Sequence, residues 1–237
     1  MNDEDDGEGI IGTIDEIASH ATEGSAAPGA VLLNPEAGNH AITTDPRELR
    51  AALRAGERTR ERFCYYQRRY GERGRRFTHS DSAWIVTLAG LDPAIAEGKL
   101  RWLGGLLAAR GMPRWLLEEH LEVLHAELVA AAPEKRAAYA TLLRVAGLFR
   151  AERLSHVDEV TSSDLARTFD SRVGSTAAHE LPEAGALVVA AVADERGGQH
   201  RAVISLLQWL ADPERFSADW VAAVSETLAA AREAARR

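Results

Sequence analysis

Apolar residues recur at helical spacing through most of the chain after residue 45. The clearest stripe places leucines at intervals of four, three and four residues: Leu117, Leu121, Leu124 and Leu128. This spacing keeps the side chains on one face of a helix, whereas a half-buried strand would alternate at every second residue. Similar stripes elsewhere predict an all-α protein made of one or more helical bundles.

The first helix has the clearest start. Asp45 stands at an N-cap position, Pro46 at the first helical position and Glu48 at the third. A helix should therefore begin at Pro46. Its apolar and aromatic positions continue to about Tyr70, and the helix breaker Gly71 follows directly.

Proline marks the start of three further helices. They should begin at Pro93, Pro113 and Pro133, and the first of them should end at Gly111, a residue type that favours helix C-caps.

Three weaker elements complete the prediction. A shorter helix around Trp84 should be capped by Thr78 or Ser80. The apolar run 186–193 has strand-forming valines, but its alanines favour a buried helix. A terminal helix should begin at Ser217.

These elements divide the chain into three predicted regions. Residues 1–44 form an acidic flexible leader, 45–132 a helical bundle, and 133–237 a second bundle or a continuation of the first. Two leucines and a proline recur at a constant offset: Leu106, Leu107 and Pro113 match Leu206, Leu207 and Pro213. A true duplication would give two tandem four-helix units, and a single composite bundle is the alternative.

Charge is concentrated near the N-terminus. Ten acidic and no basic residues precede Arg47, so the remainder carries 28 basic and 26 of the 36 acidic residues. Two interpretations stay open: a solvating segment, or an intramolecular mask over the arginine-rich segment that follows. The acidic start is unlike a secretory signal and no apolar run approaches the roughly 18 residues of a membrane span, so a cytoplasmic protein without membrane association is expected.

An arginine-rich segment runs from Arg47 to Arg76, with eleven arginines against four glutamates. Arginine beside aromatic residues suits phosphate, carboxylate or nucleic-acid recognition. A four-residue arginine spacing is also typical of a solvated helix face. The acidic charge of the whole chain argues against a nucleic-acid partner.

Aromatic residues cluster in the same region, since eight of the fourteen lie within 53 residues. Rings at helical spacing usually form core, but Tyr66, Trp84 and Trp102 belong to different predicted helices and could line one ligand cavity. The lone Cys64 excludes an internal disulfide. It lies next to arginines, which would favour thiolate reactivity, although a small buried hydrophobic side chain is the simpler interpretation.

His120 and His125 are the candidate metal ligands, because Glu122 and His125 have the E-x-x-H spacing of di-iron bundles. A second such motif is absent, and residues five apart point in different directions on a helix. Solvent-facing or capping roles are therefore favoured, and a haem held by one histidine stays open. Motifs for serine hydrolases, P-loops, dinucleotide binding and zinc proteases are all absent, so the sequence gives no support for an enzyme.

The segment FTHSDSAW, continuing through LRWLGGLLAARGMPRWLLEEHLEVL, resembles the helical-bundle modules of bacterial cobalamin-binding and related tetrapyrrole sensor proteins. The resemblance covers Phe77 to Leu124. It implies a helical sensory module in which Trp84 and Trp102 line a pocket and Arg62 and Arg69 meet the carboxylates of a tetrapyrrole-like cofactor.

Two further consequences follow from the resemblance. A bilin linked to Cys64 would be one variant of the ligand. The family's D-x-H-x-x-G motif is absent, so cobalt coordination through that motif is excluded.

Together these features predict a non-catalytic sensory or regulatory module that binds a hydrophobic or tetrapyrrole-like ligand and signals to a protein partner. Two alternatives remain. One is a ligand-free scaffold that dimerises or docks through its arginine-rich and leucine-rich faces. The other is a metal- or haem-binding helical protein that uses His120 or His125.

Overall fold

The computed structural model describes residues 29–236. Within that range the chain forms ten α-helices and two short 3-10 turns, and the β-structure is limited to one isolated antiparallel bridge between Gly29 and Ala41. The all-α prediction is confirmed. Most of the predicted acidic leader, residues 1–28, lies outside the described residues.

The helices follow one another closely along the chain. In order, they are α1 Pro46–Arg62, α2 Cys64–Leu88, α3 Pro93–Ala109, α4 Arg114–Ala131, α5 Arg136–His156, α6 Glu159–Val173, α7 Ser175–Glu180, α8 Ala184–Arg196, α9 Ala202–Leu210 and α10 Ala218–Ala234. The 3-10 turns are Ala30–Leu32 and Pro133–Lys135.

Side-chain caps explain why the predicted helix starts at Pro46 and Pro93 are correct, whereas Pro133 begins a 3-10 turn and the helix after it starts at Arg136. The Asp45 carboxylate accepts the backbone N–H of Arg47 at 2.9 Å, and Asp92 accepts that of Ala94 at 2.9 Å. These contacts satisfy amide groups that the first helical turn leaves unpaired. Hydrogen bonding to the Arg47 side chain outweighs partial burial and holds the pKa of Asp45 well below its usual range.

The predicted end of the first helix is wrong. α1 ends at Arg62, and α2 starts two residues later and continues to Leu88. Gly71 does not stop α2 but bends it, with φ 52° and ψ −145°. Glycine has no Cβ, so it can adopt this left-handed φ without the penalty that other residues incur.

The predicted short helix around Trp84 is part of α2. Thr78 and Ser80, the expected caps, lie inside that helix. Their hydroxyl groups donate to the carbonyls of Gly74 at 3.1 Å and Phe77 at 3.0 Å. Bonding back to the preceding turn lets such polar residues stay within a helix.

The described residues group into two units that interleave along the chain. The first unit contains 29–61, 70–98 and 120–143, and the second contains 62–69, 99–119 and 144–236. These units do not follow the predicted tandem division at residue 133. Helices α2 to α5 each contribute residues to both units, so the unit boundaries fall inside helices, and the boundary in α2 lies beside the bend at Gly71.

The first unit includes part of the predicted leader. Its core contains Ala30, Ile42, Leu49, Leu53 and Ala83, with Trp84 packed against them. Ala30 is 0% exposed. The boundary at residue 44 is wrong, because residues 29–44 contribute side chains to this core.

The second unit is built around α8. The apolar run predicted as a helix is buried on nearly all sides, and α8 packs against α6, α9 and α10. A Cβ atom at Gly185 would lie 2.9 Å from the Ala166 Cα, so glycine permits a close crossing of α6 and α8. Beside them, the Trp220 ring stacks on Phe216 at 4.9 Å.

No described helix combines the length and the apolar character that a membrane span requires.

Gly111 ends α3 as predicted and has φ 88°. A Cβ at this position would lie 2.4 Å from Arg69 Nη1 and 2.7 Å from the Ser205 carbonyl oxygen. Gly111→Ala should therefore lower the free energy of unfolding by about 2–4 kcal/mol, combining backbone strain with steric overlap. Urea denaturation of both proteins measures this difference.

Gly147 provides the matched control, because it is an exposed helical glycine whose added Cβ would meet nothing within 4 Å. Gly147→Ala should raise the free energy of unfolding by about 0.5–1 kcal/mol through helix propensity. Equal effects of the two substitutions would contradict the assigned role of Gly111.

Candidate ligand-binding groove

The predicted site residues do not share one environment. Trp84 belongs to the first unit, where it packs against the core and meets the His40 ring edge-to-face at 5.6 Å. Trp102 belongs to the second unit and is 64% exposed, so its side chain does not line a closed cavity. Tyr66 and Cys64 are half-buried residues in the first turn of α2.

The Arg69 side chain forms hydrogen bonds within the protein. Its Nη1 donates to the Tyr65 hydroxyl at 2.5 Å and its Nη2 donates to the Ser205 carbonyl at 2.8 Å. The fully buried Tyr65 in turn donates its hydroxyl proton to the Gly111 carbonyl. Arg69 therefore connects α2 to α9 and to the turn after α3, within the second unit.

Arg62 is the predicted site residue that borders a groove. This groove belongs to the second unit, has a volume of about 450 Å³ and lies among α4, α5, α6 and α8. Its apolar side consists of small residues: Val157, Ala166, Ala186, Val189, Ala190 and Ala193. Its polar side carries three arginines and an indole: Arg62, Arg150, Arg153 and Trp115.

A buried ion-pair cluster holds two of these arginines. The Glu118 carboxylate is 0% exposed and accepts from Arg150 Nε at 2.9 Å and from Arg153 Nε at 3.0 Å and Nη2 at 2.9 Å. A buried carboxylate without such partners would cost several kcal/mol, so removing one side of this cluster costs about 3–5 kcal/mol. The cluster fixes α4 against α5.

A second buried pair fixes the other wall of the groove. Asp194 on α8 accepts from the backbone N–H of Arg114 at 2.7 Å and from its Nε at 2.7 Å. Both side chains are less than a tenth exposed. The groove walls are therefore held in place before any ligand arrives.

Arg62 is held more weakly. Its Nη2 lies 2.9 Å from Glu119 Oε2, and the Trp115 indole N–H donates to Glu119 at 3.2 Å. The Arg62 side chain is 55% exposed. The Glu119 side chain is 17% exposed, so water reaches this pair mainly from the Arg62 side.

Charges around the groove are balanced. Three arginines border it, and three glutamates oppose them: Glu118 behind the wall, with Glu119 and Glu159 on the rim. Polyanions gain little from such a surface, because no net positive charge attracts them. A guanidinium group has several N–H donors, so it can still bind and orient one ligand carboxylate next to the apolar side of the groove.

The described lining residues contain no histidine, cysteine, methionine or tyrosine. Those residue types supply the axial ligands of haem proteins. The lining also brings no histidine beside its two serines, Ser162 and Ser163, so the usual base of a serine nucleophile is missing there. The groove suits non-covalent binding.

The arginine-rich segment is largely engaged in ion pairs within the first unit. Arg54 Nε lies 2.8 Å from Glu127, and Arg58 pairs with the same carboxylate. Both arginine side chains are more than half exposed. The solvated-face interpretation describes this stretch better than a free anion-binding surface.

One residue of the predicted leader does lie on that segment. Glu36 accepts from Arg73 at 2.8 Å and from Arg76 at 3.3 Å. Hydrogen bonding to Arg73 lowers the pKa of Glu36. The remaining acidic residues of the predicted mask lie largely outside the described residues.

His120 is buried, and the predicted solvent-facing or capping role is wrong. The Thr59 hydroxyl donates to the Ala55 carbonyl at 2.9 Å, so His120 Nδ1–H must donate to Thr59 at 2.9 Å. His120 Nε2 then accepts the Ser82 hydroxyl proton at 2.9 Å. A neutral His120 thereby links α1, α2 and α4 and has no nitrogen left for a metal.

His125 is half-buried, and burial together with the nearby charge of Arg136 lowers its pKa. The described residues contain no cluster of three metal-ligating side chains. His120 therefore has no nitrogen available for a metal or haem. His125 could supply only one nitrogen ligand by itself.

Sequence reasoning named Arg62 but missed the rest of the groove. Arg150 and Arg153 lie three residues apart on α5, and this spacing is typical of a solvated helix face. One available signal was Glu118, a carboxylate next to Leu117 in the leucine stripe. A charge near an inward-facing position requires a partner, and that partner is the arginine pair.

Comparisons with known proteins found no match to a family model, to a curated protein or to a solved structure. The resemblance to cobalamin-sensor modules stays a prediction.

Burial lowers the pKa of His120 to about 4, from an ordinary value of 6.5. The unfolded chain thus takes up a proton at a pH where the folded protein does not, so the free energy of unfolding should fall as the pH is lowered from 7 to 4. The difference corresponds to about 3 kcal/mol. His120→Gln, which keeps a donor and an acceptor but does not titrate, should lack this contribution.

Urea denaturation at a series of pH values measures the effect as the wild-type curve minus the variant curve. His200→Gln is the control, because His200 is exposed. Parallel wild-type and His120→Gln profiles between pH 7 and pH 4 would show that His120 is not the titrating group.

Proposed function

We propose that this chain is a non-catalytic binding protein that takes up a small molecule with a hydrophobic body in the groove of its second unit. The observation that carries the proposal is the combination of a volume of about 450 Å³ with an apolar side made of alanine and valine. Small-molecule sites typically enclose about 300–1,000 Å³, with apolar walls and a few polar groups that set orientation.

The proposal includes a regulatory mechanism. The groove touches Val157 and Glu159, which flank the junction between α5 and α6. A ligand that contacts both helices would favour one angle between them over another, and a partner would respond to that change. The N-cap Asp158 lies at the same junction, where it accepts the Thr161 backbone N–H at 3.0 Å.

A tetrapyrrole is one member of this ligand class. The lining residues offer no axial donor, so such a ligand would bind through its apolar face and its carboxylates alone. The exposed position of Trp102 and the internal contacts of Arg69 give no support to the pocket that the resemblance implies. A smaller hydrophobic molecule fits the groove volume better.

A neutral fluorescent probe, N-phenyl-1-naphthylamine, tests the groove independently of charge. Wild-type protein should bind it saturably at one site. Ala186→Phe should weaken binding at least about tenfold, because Ala186 is half-buried and the phenyl ring would fill the groove. Ala222→Phe, at an exposed alanine of α10 away from the groove, is the matched control.

Equal probe affinity in wild type and Ala186→Phe, with both proteins folded by circular dichroism, would overturn the proposed site. Absence of saturable binding in the wild type would overturn the proposed function.

A second candidate function is protein association, and the exposure of Trp102 favours it. Tryptophan is among the residues that contribute most to interfaces, and this one is 64% exposed on α3. Sedimentation velocity across protein concentrations should reveal self-association that Trp102→Gln weakens at least about tenfold. A monomer at all concentrations would exclude the homodimer.

A further inference from the structure

We infer that the ligand of the groove is an amphipathic monoanion whose carboxylate displaces Glu119 from Arg62, so that Glu119 acts as a built-in competitor. The inference rests on the proposed function and adds the chemical class of the ligand and a residue that sets its affinity. It follows from a comparison of the arginines around the groove.

Arg153 is poorly suited to receive a head group. Its Nε and Nη2 both bond to the fully buried Glu118, and its side chain is 14% exposed. Arg150 donates to the same carboxylate through Nε. Moving either guanidinium would leave a buried negative charge with fewer donors, which is costly.

Arg62 differs from Arg150 and Arg153 in its exposure and in its ion-pair partner, the two features that decide whether a ligand carboxylate can replace that partner. It is more than half exposed, and its Nη2 forms an ion pair with Glu119. A ligand carboxylate in the place of Glu119 keeps Arg62 paired, so the exchange substitutes one carboxylate for another and changes the energy little. Glu119 keeps part of its side chain, 17%, exposed to solvent, whereas Glu118 is 0% exposed.

The balance of charge limits the ligand to one negative group. A single carboxylate on Arg62 replaces the charge that Glu119 supplied. A second would approach Glu159 and the displaced Glu119 without gaining another cation. The body of the ligand then lies along the alanines of α6 and α8, where it is removed from water.

The fluorescence of Trp115 should report the replacement of Glu119 by the ligand carboxylate. Its indole N–H donates to Glu119 at 3.2 Å, and its ring meets Phe63 edge-to-face at 5.2 Å. When Glu119 leaves Arg62, the indole changes its acceptor. Binding of the right ligand class should therefore alter Trp115 fluorescence, and Trp115→Phe should remove that part of the signal.

Three chain-matched probes test the inference by calorimetry below their micelle concentrations: dodecanoate, dodecanol and dodecyltrimethylammonium. Wild type should prefer dodecanoate. Glu119→Gln should bind dodecanoate about three- to tenfold more tightly and leave dodecanol unchanged. Arg62→Gln should lose about tenfold for dodecanoate alone, with dodecanol again unchanged.

Glu195→Gln is the matched control. It removes the same charge from a partly exposed ion pair, with Arg232 at 2.9 Å, outside the groove lining. Its dodecanoate affinity should equal that of the wild type. Melting curves of all variants establish that they are folded.

The outcomes distinguish a failure of the inferred ligand exchange from a failure of the proposed function. If N-phenyl-1-naphthylamine binds but Glu119→Gln leaves dodecanoate affinity unchanged, or raises dodecanol affinity equally, the displacement of Glu119 is wrong and groove binding stands. If wild type shows no preference among the three head groups, the monoanion class is wrong. If no probe binds at all, both the inference and the proposed function are overturned.

Discussion

The buried carboxylate of Glu118 is the constraint on which the second unit depends. A charge with no exposed surface must be matched by donors, and Arg150 and Arg153 supply three hydrogen bonds to it. Those bonds determine how α4 and α5 pack, and with them the wall of the groove. The same guanidiniums border the groove, so one interaction both stabilises the unit and positions the positive charges on that wall.

Helix starts could be predicted from the sequence because their signals are local. Asp45 and Asp92 contact amides two residues away, and a proline follows each of them, so a short stretch of sequence contains the whole interaction. The end of α1 could not be predicted in this way. Gly71 is compatible with either a stop or a bend, and the neighbouring sequence does not distinguish the two.

Most residues of the groove could not be predicted from the sequence, because the contacts that bring them together join distant parts of the chain. Arg62 was named through the resemblance to tetrapyrrole sensor modules, but its partner Glu119 is 57 positions away, and Arg150 is 32 positions from Glu118. Pairings at that separation depend on how helices pack, which periodicity does not specify. His120 illustrates the same limit, since its role depends on hydroxyl groups from two other helices.

The interleaving of the two units has a consequence for how the chain can be divided. Each unit draws on three separate stretches of sequence, so no single cut releases either one intact. Native contacts in each unit must close over long intervening segments, which slows folding relative to helical proteins with mostly local contacts. A truncation that reaches Ala30 from one side, or Ala231 from the other, should therefore remove side chains from an existing core. Such shortened fragments should not be treated as isolated domains.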